Sequence, residues 1–189
     1  MNKFRNFLLT HPIAFRAWQI ALTLIGKCVL FWRRPKLTDA DIDRCYQVLY
    51  YARFAVIGLG SRRFLTGLFL PRGRHDVEHT AIYIGGGIAV EAVTPRCRAI
   101  SIRRLLRQYD NVTIVVYPYI DRQAACSSAL SCVDRTYDVL FNGGSRKLYC
   151  HEYGANVVEA GDIPVKKSGE FYSFDDLADA GEVALEIRR

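Results

Sequence analysis

The stretch His-Thr-Ala-Ile-Tyr-Ile-Gly-Gly-Gly-Ile-Ala-Val-Glu-Ala-Val, residues 79–93, has the clearest secondary-structure pattern in the chain. Two apolar runs, 80–84 and 88–93, flank three consecutive glycines. Strand-forming runs separated by glycines predict a β-hairpin, because glycine readily adopts the positive φ angles of a tight turn. The sequence therefore predicts two antiparallel strands joined at the glycines.

A histidine and a glutamate stand in this otherwise apolar hairpin. With the turn centred on Gly85 or Gly86, the side chains of His79 and Glu91 project from the same face, opposite each other or one step diagonal. A carboxylate that accepts a hydrogen bond from an imidazole fixes its tautomer, which prepares the other ring nitrogen to take a proton from a nucleophile. The alternative is a structural histidine at a strand end beside an edge glutamate, and these two residues alone leave both open.

A cysteine suited to be that nucleophile lies about sixty residues after the hairpin. Cys150 ends a polar, glycine-broken loop and opens a short apolar run over 153–158. A thiol at a helix N-terminus experiences partial positive charge, which favours the thiolate and suits a nucleophile. Because free cysteines are often buried, an inert core cysteine is the alternative.

Patterns elsewhere in the chain predict a small α+β domain. Thr38 is typical of an N-cap, followed by acidic residues, for a helix that runs to about Tyr51. The other predicted segments are strands over 55–59, 112–119 and 183–187, and helices over 102–109, 121–133, 150–159 and 174–180. Helices that flank a small, mainly antiparallel sheet make an α+β domain.

Length and composition fit one ordinary domain with a basic surface. The chain has 189 residues, is 50% hydrophobic and carries a net charge of +7, which favours anionic partners such as phospholipid, nucleic acid or wall polymer. Its 6 cysteines form no CxxC pair, which argues against a zinc ribbon or a disulfide scaffold and favours reduced thiols. We therefore predict a cytoplasmic location, or a peripheral one at the cytoplasmic face of a membrane.

Residues 1–36 differ in character from the domain predicted over 37–189. The run Ile13–Trp32 is nearly continuously apolar, and its few polar positions fall on one narrow stripe of a helix. Two charges within the run argue against an ordinary membrane span, whereas the flanking Lys and Arg residues suit an anionic lipid surface. We predict an amphipathic, membrane-leaning helix, with packing on the domain or on a second copy as the alternative.

Two other functions fit the sequence less well. Residues 75–79 match the H-x-x-E-H zinc-peptidase pattern, which requires a helix that places both histidines on one face. Pro71 and Gly73 precede the motif and a strand follows at once, which leaves no room for that helix. The arginines within 103–107 lie on one short helix without interleaved aromatic residues, so no nucleic-acid partner is predicted.

Four short motifs occur in an order that resembles a known enzyme family. They are His-Thr-Ala-Ile-Tyr-Ile-Gly at 79–85, Val-Glu-Ala at 90–92, Tyr-Asp-x-x-Phe at 137–141 and Tyr-Cys-x-Glu at 149–152. Over roughly residues 50–160 the chain resembles the circularly permuted NlpC-type papain-like hydrolases. Within them it is most similar to the YiiX/YebB-like proteins, relatives of the lecithin retinol acyltransferases. The resemblance implies a permuted papain-like fold.

The resemblance also implies roles for individual residues. Cys150 is expected to be the nucleophile, His79 the general base and Glu91 the third residue that orients the imidazole. Tyr137, thirteen residues before the cysteine, is expected to line the site and to help hold the oxyanion. No metal or organic cofactor is implied.

The chain departs from the family pattern at two points. The family usually has Cys-Ser-Glu and then an aliphatic pair, whereas this chain has Cys-His-Glu-Tyr-Gly at 150–154, and the strand expected before the histidine is not clear between 53 and 59. His151 is therefore a rival base. Because adjacent residues on a helix point about 100° apart, we prefer His79 as the base and expect His151 to be a neighbour that tunes the thiol. With Tyr149, His151 is placed in the substrate and oxyanion region.

Together these observations predict a cysteine-dependent hydrolase or acyltransferase that cleaves an amide or ester bond through an acyl-enzyme. The apolar runs at 13–32 and 64–70 and the basic charge favour a lipid-linked or amphipathic substrate. A peptidoglycan peptide is the alternative substrate, and a non-catalytic, membrane-associated binding module on the same fold is the alternative to an enzyme. The predicted partners are an acyl-containing small molecule, lipid or peptide, and an anionic membrane surface contacted through residues 3–36.

Overall fold

A computed structural model describes residues 36–60, 73–137 and 147–189 of the chain. The helices are α1 (Asp39–Ala52), α2 (Ile102–Leu106), α3 (Arg122–Ser131), α4 (Cys150–Ala160) and α5 (Phe174–Asp179). The strands are β1 (Ala55–Gly60), β2 (His79–Gly85), β3 (Ile88–Glu91), β4 (Arg98–Ser101), β5 (Asn111–Val116), β6 (Thr136–Tyr137), β7 (Lys147–Leu148) and β8 (Glu182–Ile187). The predicted N-terminal helix and the apolar run 64–70 lie outside the described residues.

Six strands form one antiparallel sheet with the order β4-β3-β2-β1-β5-β8. The short strands β6 and β7 pair with each other in parallel, immediately before α4. Helices lie on both sides of the antiparallel sheet, which confirms the predicted α+β class with a mainly antiparallel sheet.

The sheet is buried on both faces because alternate side chains of its strands belong to two separate apolar cores. On one face, residues such as Val56, Ile82 and Val90 pack with α3, α4 and α5. On the other face, Ile57 and Ala81 pack with α1 and α2. A central strand such as β1 is therefore apolar along its whole length and shows no alternation of polar and apolar residues.

The hairpin forms where the sequence predicts it. Gly85, Gly86 and Gly87 have φ angles of +96°, +60° and +77°, which side chains with a Cβ rarely adopt. The strands on either side pair with Ala81 opposite Glu91, so the turn sets the register of the whole hairpin.

Local signals also determine where α1 begins. The hydroxyl of Thr38 accepts a hydrogen bond from the backbone N–H of Asp41, and the Asp41 carboxylate accepts one in return from the backbone N–H of Thr38. None of the helices in the described part of the chain is long and apolar enough to cross a lipid bilayer.

Two segments differ from the expectation based on sequence. The helix expected over 102–109 ends at Leu106, because the following backbone N–H groups of Gln108 and Tyr109 bond three residues back, as in a turn. The strand β4 was not predicted, since three of its four residues are exposed and only Ile100 is buried. Pairing with β3 is what makes this segment a strand.

The close approach of α5 to the centre of the sheet gives a test of the fold. A Cβ placed on Gly58 would lie 2.5 Å from Cζ of the buried Phe174 and 2.7 Å from Cγ2 of Val77. We expect Gly58→Ala to lower the free energy of unfolding by about 2 kcal/mol, because overpacking forces neighbouring atoms apart. Urea denaturation measures this, with Gly169→Ala as the control, since a Cβ there meets nothing within 4 Å. Equal stability of the two variants would contradict this packing.

Candidate active site

The hairpin brings His79 and Glu91 together on one face of the sheet. Glu91 lies opposite Ala81, so it is one step diagonal from His79, which is one of the two arrangements expected from the sequence. The ring Nε2 of His79 is 2.9 Å from Oε2 of Glu91. This contact places a carboxylate behind the imidazole and leaves Nδ1 as the nitrogen available to a nucleophile.

The carboxylate of Glu91 is held by a second partner that the sequence analysis missed. Arg98 on β4 lies directly opposite Glu91 and donates to its other oxygen, Oε1, from Nε at 2.8 Å and from a terminal nitrogen at 2.8 Å. Burial alone would raise the pKa of Glu91, but the hydrogen bonds and charges of His79 and Arg98 hold it below its ordinary value. Glu91 is therefore an anion although it is only 1% exposed.

An aromatic ring stacks on the imidazole of His79. Tyr109, which follows α2, stacks on it with ring centroids 6.1 Å apart and planes 14° apart. Burial by itself would lower the pKa of His79, but hydrogen bonds and charges from Cys150 and Glu91 raise it to about 9. The ring is thus held in its protonated form at neutral pH.

Cys150 is the first residue of α4, and this helix begins beside the start of β2. Its Sγ is 4.0 Å from the backbone carbonyl oxygen of Glu78, the residue before His79, and the thiol and the imidazole each shift the pKa of the other. Burial would raise the pKa of the Cys150 thiol, but the charge and hydrogen bond of His151, together with those of His79, hold it well below its ordinary value. The site favours a thiolate facing an imidazolium.

His151 also borders the sulfur, although it follows Cys150 directly on the helix. Its Nδ1 is 3.9 Å from Cys150 Sγ and 2.7 Å from Oγ1 of Thr80, the residue after His79 on β2. The angular spacing of adjacent helical residues therefore does not separate the two histidines at the sulfur. They differ in their second partner, which is a carboxylate for His79 and a hydroxyl for His151.

The two tyrosines predicted to belong to the site are placed differently. Tyr137 pairs with Leu148, two residues before Cys150, so its backbone runs beside the segment that leads into α4. Tyr149 is buried, and its hydroxyl accepts a hydrogen bond of 2.8 Å from the backbone N–H of Tyr172. Tyr149 thus ties the C-terminal part of the domain to the start of α4.

The zinc-peptidase alternative finds no support in this part of the structure. Residues 73–78 are not helical, His79 lies on a strand, and His75 contacts Glu186 instead of sharing a site with His79. Within 36–60, 73–137 and 147–189, no group of three or more His, Cys, Asp or Glu residues is arranged to hold a metal ion.

The described geometry therefore unites a thiol, an imidazole and a carboxylate in the order that covalent acyl chemistry requires. The sulfur can attack a carbonyl carbon, His79 can return a proton to the leaving group, and Glu91 keeps the ring oriented. Arg98, Tyr109 and Thr80 complete the surroundings. The sequence could have indicated Arg98 as the cross-strand partner of Glu91 only if β4 had been predicted as a strand.

Comparison with known proteins agrees with this geometry. Residues 51–182 match the family described as permuted papain-like amidase enzyme, YaeF/YiiX, C92 family. A search of curated proteins and a search of solved structures each found no match.

The pKa of His79 tests the charge arrangement. We expect a titration midpoint near pH 9 for this ring, and a lower midpoint in Glu91→Gln, because the anionic acceptor is removed. Histidine ring NMR signals measure the midpoint.

The raised pKa also means that protonated His79 stabilises the fold below about pH 6.5, and that this contribution disappears as the pH rises through about 9.

Glu186→Gln is the matched control for this titration, because it removes the carboxylate of a second His–Glu pair, His75–Glu186, on β8. We expect it to leave the His79 midpoint unchanged. A His79 midpoint that is the same in wild type and in Glu91→Gln would show that the carboxylate does not act on the ring.

Proposed function

The chain belongs to the permuted papain-like amidase family, and on this premise we propose that it cleaves an acyl bond through an acyl-enzyme on Cys150. Membership of the family identifies the protein, at a coarse level, as a cysteine-dependent amide hydrolase. The observation that supports Cys150 and His79 as the reacting pair is the start of α4 beside β2, where Cys150 Sγ lies 4.0 Å from the carbonyl oxygen of the residue before His79, with Glu91 behind the ring at 2.9 Å.

The proposed reaction has two halves, which are acylation of Cys150 and hydrolysis of the resulting thioester. The Cys150 thiolate attacks the amide carbonyl carbon, a C–S bond forms, and the carbonyl oxygen becomes an oxyanion. Collapse of this intermediate breaks the C–N bond while His79 gives its proton to the departing amine. Water then attacks the thioester, His79 takes a proton from it, and the C–S bond breaks to release the acid and the thiolate.

The beginning of α4 is well placed to hold the oxyanion. The first backbone N–H in α4 that bonds to a preceding carbonyl is that of Tyr153, which reaches Tyr149, so the N–H groups of the first turn have no partner inside the helix. The N-cap residue Tyr149 makes no side-chain hydrogen bond to them. Donors at a helix start stabilise developing negative charge, and we place Tyr137 as an additional donor.

The finer part of the proposal is a lipid-linked or amphipathic substrate. It is supported by sequence, through the apolar runs 13–32 and 64–70, which lie outside the described residues, and by the net charge of +7. An anionic membrane contacted through residues 3–36 would present such a substrate.

The contacts among Cys150, His79 and Glu91 favour an enzyme over the non-catalytic module. That alternative would require the sulfur and the ring to lie apart, or a side chain to fill the acyl site. His151 does lie at the sulfur, but its Nδ1 is directed to Thr80 at 2.7 Å, so its position has another explanation.

Selective alkylation tests the nucleophile. We expect iodoacetamide to modify Cys150 at least tenfold faster than Cys126 at pH 7, because burial raises the pKa of Cys126 whereas the imidazoles lower that of Cys150. Peptide mass spectrometry measures both rates in one sample. His79→Ala should reduce the difference, and Cys150→Ala should abolish amide hydrolysis while Cys126→Ser retains it. Wild-type turnover by Cys150→Ala would refute the assignment.

The substrate class is tested by comparing the release of a fluorophore from two amide substrates. We expect a fatty-acyl amide of aminomethylcoumarin to be cleaved with a kcat/KM at least tenfold above that of a wall-type tripeptide amide of the same fluorophore. A faster tripeptide would favour the peptidoglycan alternative. Mass spectrometry of the acyl product, with and without an added amine, separates hydrolysis from acyl transfer.

A further inference from the structure

The first residues of β2 lie beside the first residues of α4. His79 and Cys150 each shift the pKa of the other, and Thr80 Oγ1 is 2.7 Å from His151 Nδ1. The first pair is the base and the nucleophile of the proposed function. The second pair joins Thr80, to which no role has been assigned, with His151, whose Nδ1 lies 3.9 Å from the same sulfur.

Thr80 is fully buried, so the partner of its hydroxyl is informative. A buried hydroxyl is stable only when it is hydrogen-bonded, and the bond that the structure shows is the one to His151. Its methyl group packs on the helix at Gly154, where an added Cβ would lie 3.1 Å from Cγ2. Thr80 therefore fixes both the position of α4 and the orientation of the His151 ring.

We infer that His151 is a positioning residue for the Cys150 thiolate, and that Thr80 holds its ring in place in both protonation states. This inference rests on the proposed function. When the ring is neutral, the Thr80 hydroxyl donates to Nδ1; when the ring is protonated, Nδ1–H donates to Thr80 Oγ1 and faces the sulfur. The thiolate then lies between two imidazoles, of which only His79 has a carboxylate behind it.

The two histidines have different roles because their second partners differ. Glu91 supports repeated proton transfer by His79, because the carboxylate stabilises the imidazolium that forms. A hydroxyl supplies no such charge, so His151 contributes orientation and, in its protonated form, a positive charge near the sulfur. The low pKa of the Cys150 thiol agrees with this, because the charge and hydrogen bond of His151 oppose the effect of burial more strongly than those of His79.

Other ionisable groups face the sulfur and its two histidines, and they set the background for any pH dependence. From the remaining elements these are Glu91 with its partner Arg98, Tyr109 and Glu78, and from the start of α4 they are Tyr149 and Glu152. Burial raises the pKa of both tyrosines, so they are neutral over the working range. The carboxylates oppose thiolate formation, which makes a second nearby cation useful.

Paired substitutions separate orientation and charge from simple packing. His151→Asn places an amide near the position of Nδ1, which keeps a partner for Thr80 but removes the charge. Thr80→Val keeps the packing and removes the hydroxyl, whereas Thr80→Ser keeps the hydroxyl and removes the methyl group. A merely structural role predicts that Ser is the more harmful change at position 80.

The readout is the rate of Cys150 alkylation by iodoacetamide as a function of pH, measured on the full chain. We expect the midpoint to rise by about one pH unit in His151→Asn, because a nearby opposite charge is lost. We expect a smaller rise in Thr80→Val and the wild-type midpoint in Thr80→Ser. Urea denaturation of each variant checks that it is folded, and a variant that is not folded is replaced by His151→Gln at the same position.

The outcomes distinguish this inference from the proposed function. If wild-type Cys150 reacts no faster than Cys126, the proposed nucleophile fails, and this inference fails with it. If wild-type Cys150 is fast and His79→Ala slows it, while His151→Asn and Thr80→Val keep the wild-type midpoint, the nucleophile stands and the role of His151 is overturned. A midpoint shifted by Thr80→Ser but not by Thr80→Val would also overturn it.

Discussion

The buried carboxylate of Glu91 is the group on which the arrangement of the site depends. An unpaired carboxylate at this depth would cost several kcal/mol, so its partners must be held in position. His79 takes one oxygen and Arg98 takes the other, and these residues come from the strands on either side of β3. The same contacts keep the carboxylate charged and orient the imidazole, which leaves the second ring nitrogen for Cys150. The contacts of Glu91 with His79 and Arg98 therefore serve both the stability of this part of the sheet and the chemistry of the site.

The nucleophile reaches this pair through the packing of a helix on the sheet. Helix α4 begins beside β2, where Cys150 lies near the Glu78 carbonyl oxygen and the small residue Gly154 lets the helix approach Thr80 closely. The N–H groups of the first helical turn have no partner inside the helix. One packing contact thus brings the thiol, the imidazole and the start of the helix to the same end of the sheet.

Features that depend on a few neighbouring residues were predictable from the sequence. The glycines of the hairpin and the cap at Thr38 act over four residues or fewer, and both elements appear where the pattern places them. Strand β4 was not predictable in this way, because most of its residues are exposed and its pairing with β3 defines it. Arg98 was missed for the same reason. Tyr109 and Thr80 were missed because neither residue type marks a site by itself.

The sequence by itself determined most of the elements, the same-face placement of His79 and Glu91, and the position of Cys150 at a helix start, since hairpin register and the change from a polar loop to an apolar run are short-range properties. The resemblance of four motifs in order added the expected family, which the match over residues 51–182 shows. Only the tertiary structure decided which groups surround the sulfur. Residues 79 and 150 are far apart along the chain, and their distance depends on strand register and on how closely α4 packs against β2. That packing also placed His151 at the thiol, where the angle between adjacent helical residues alone would have directed it away.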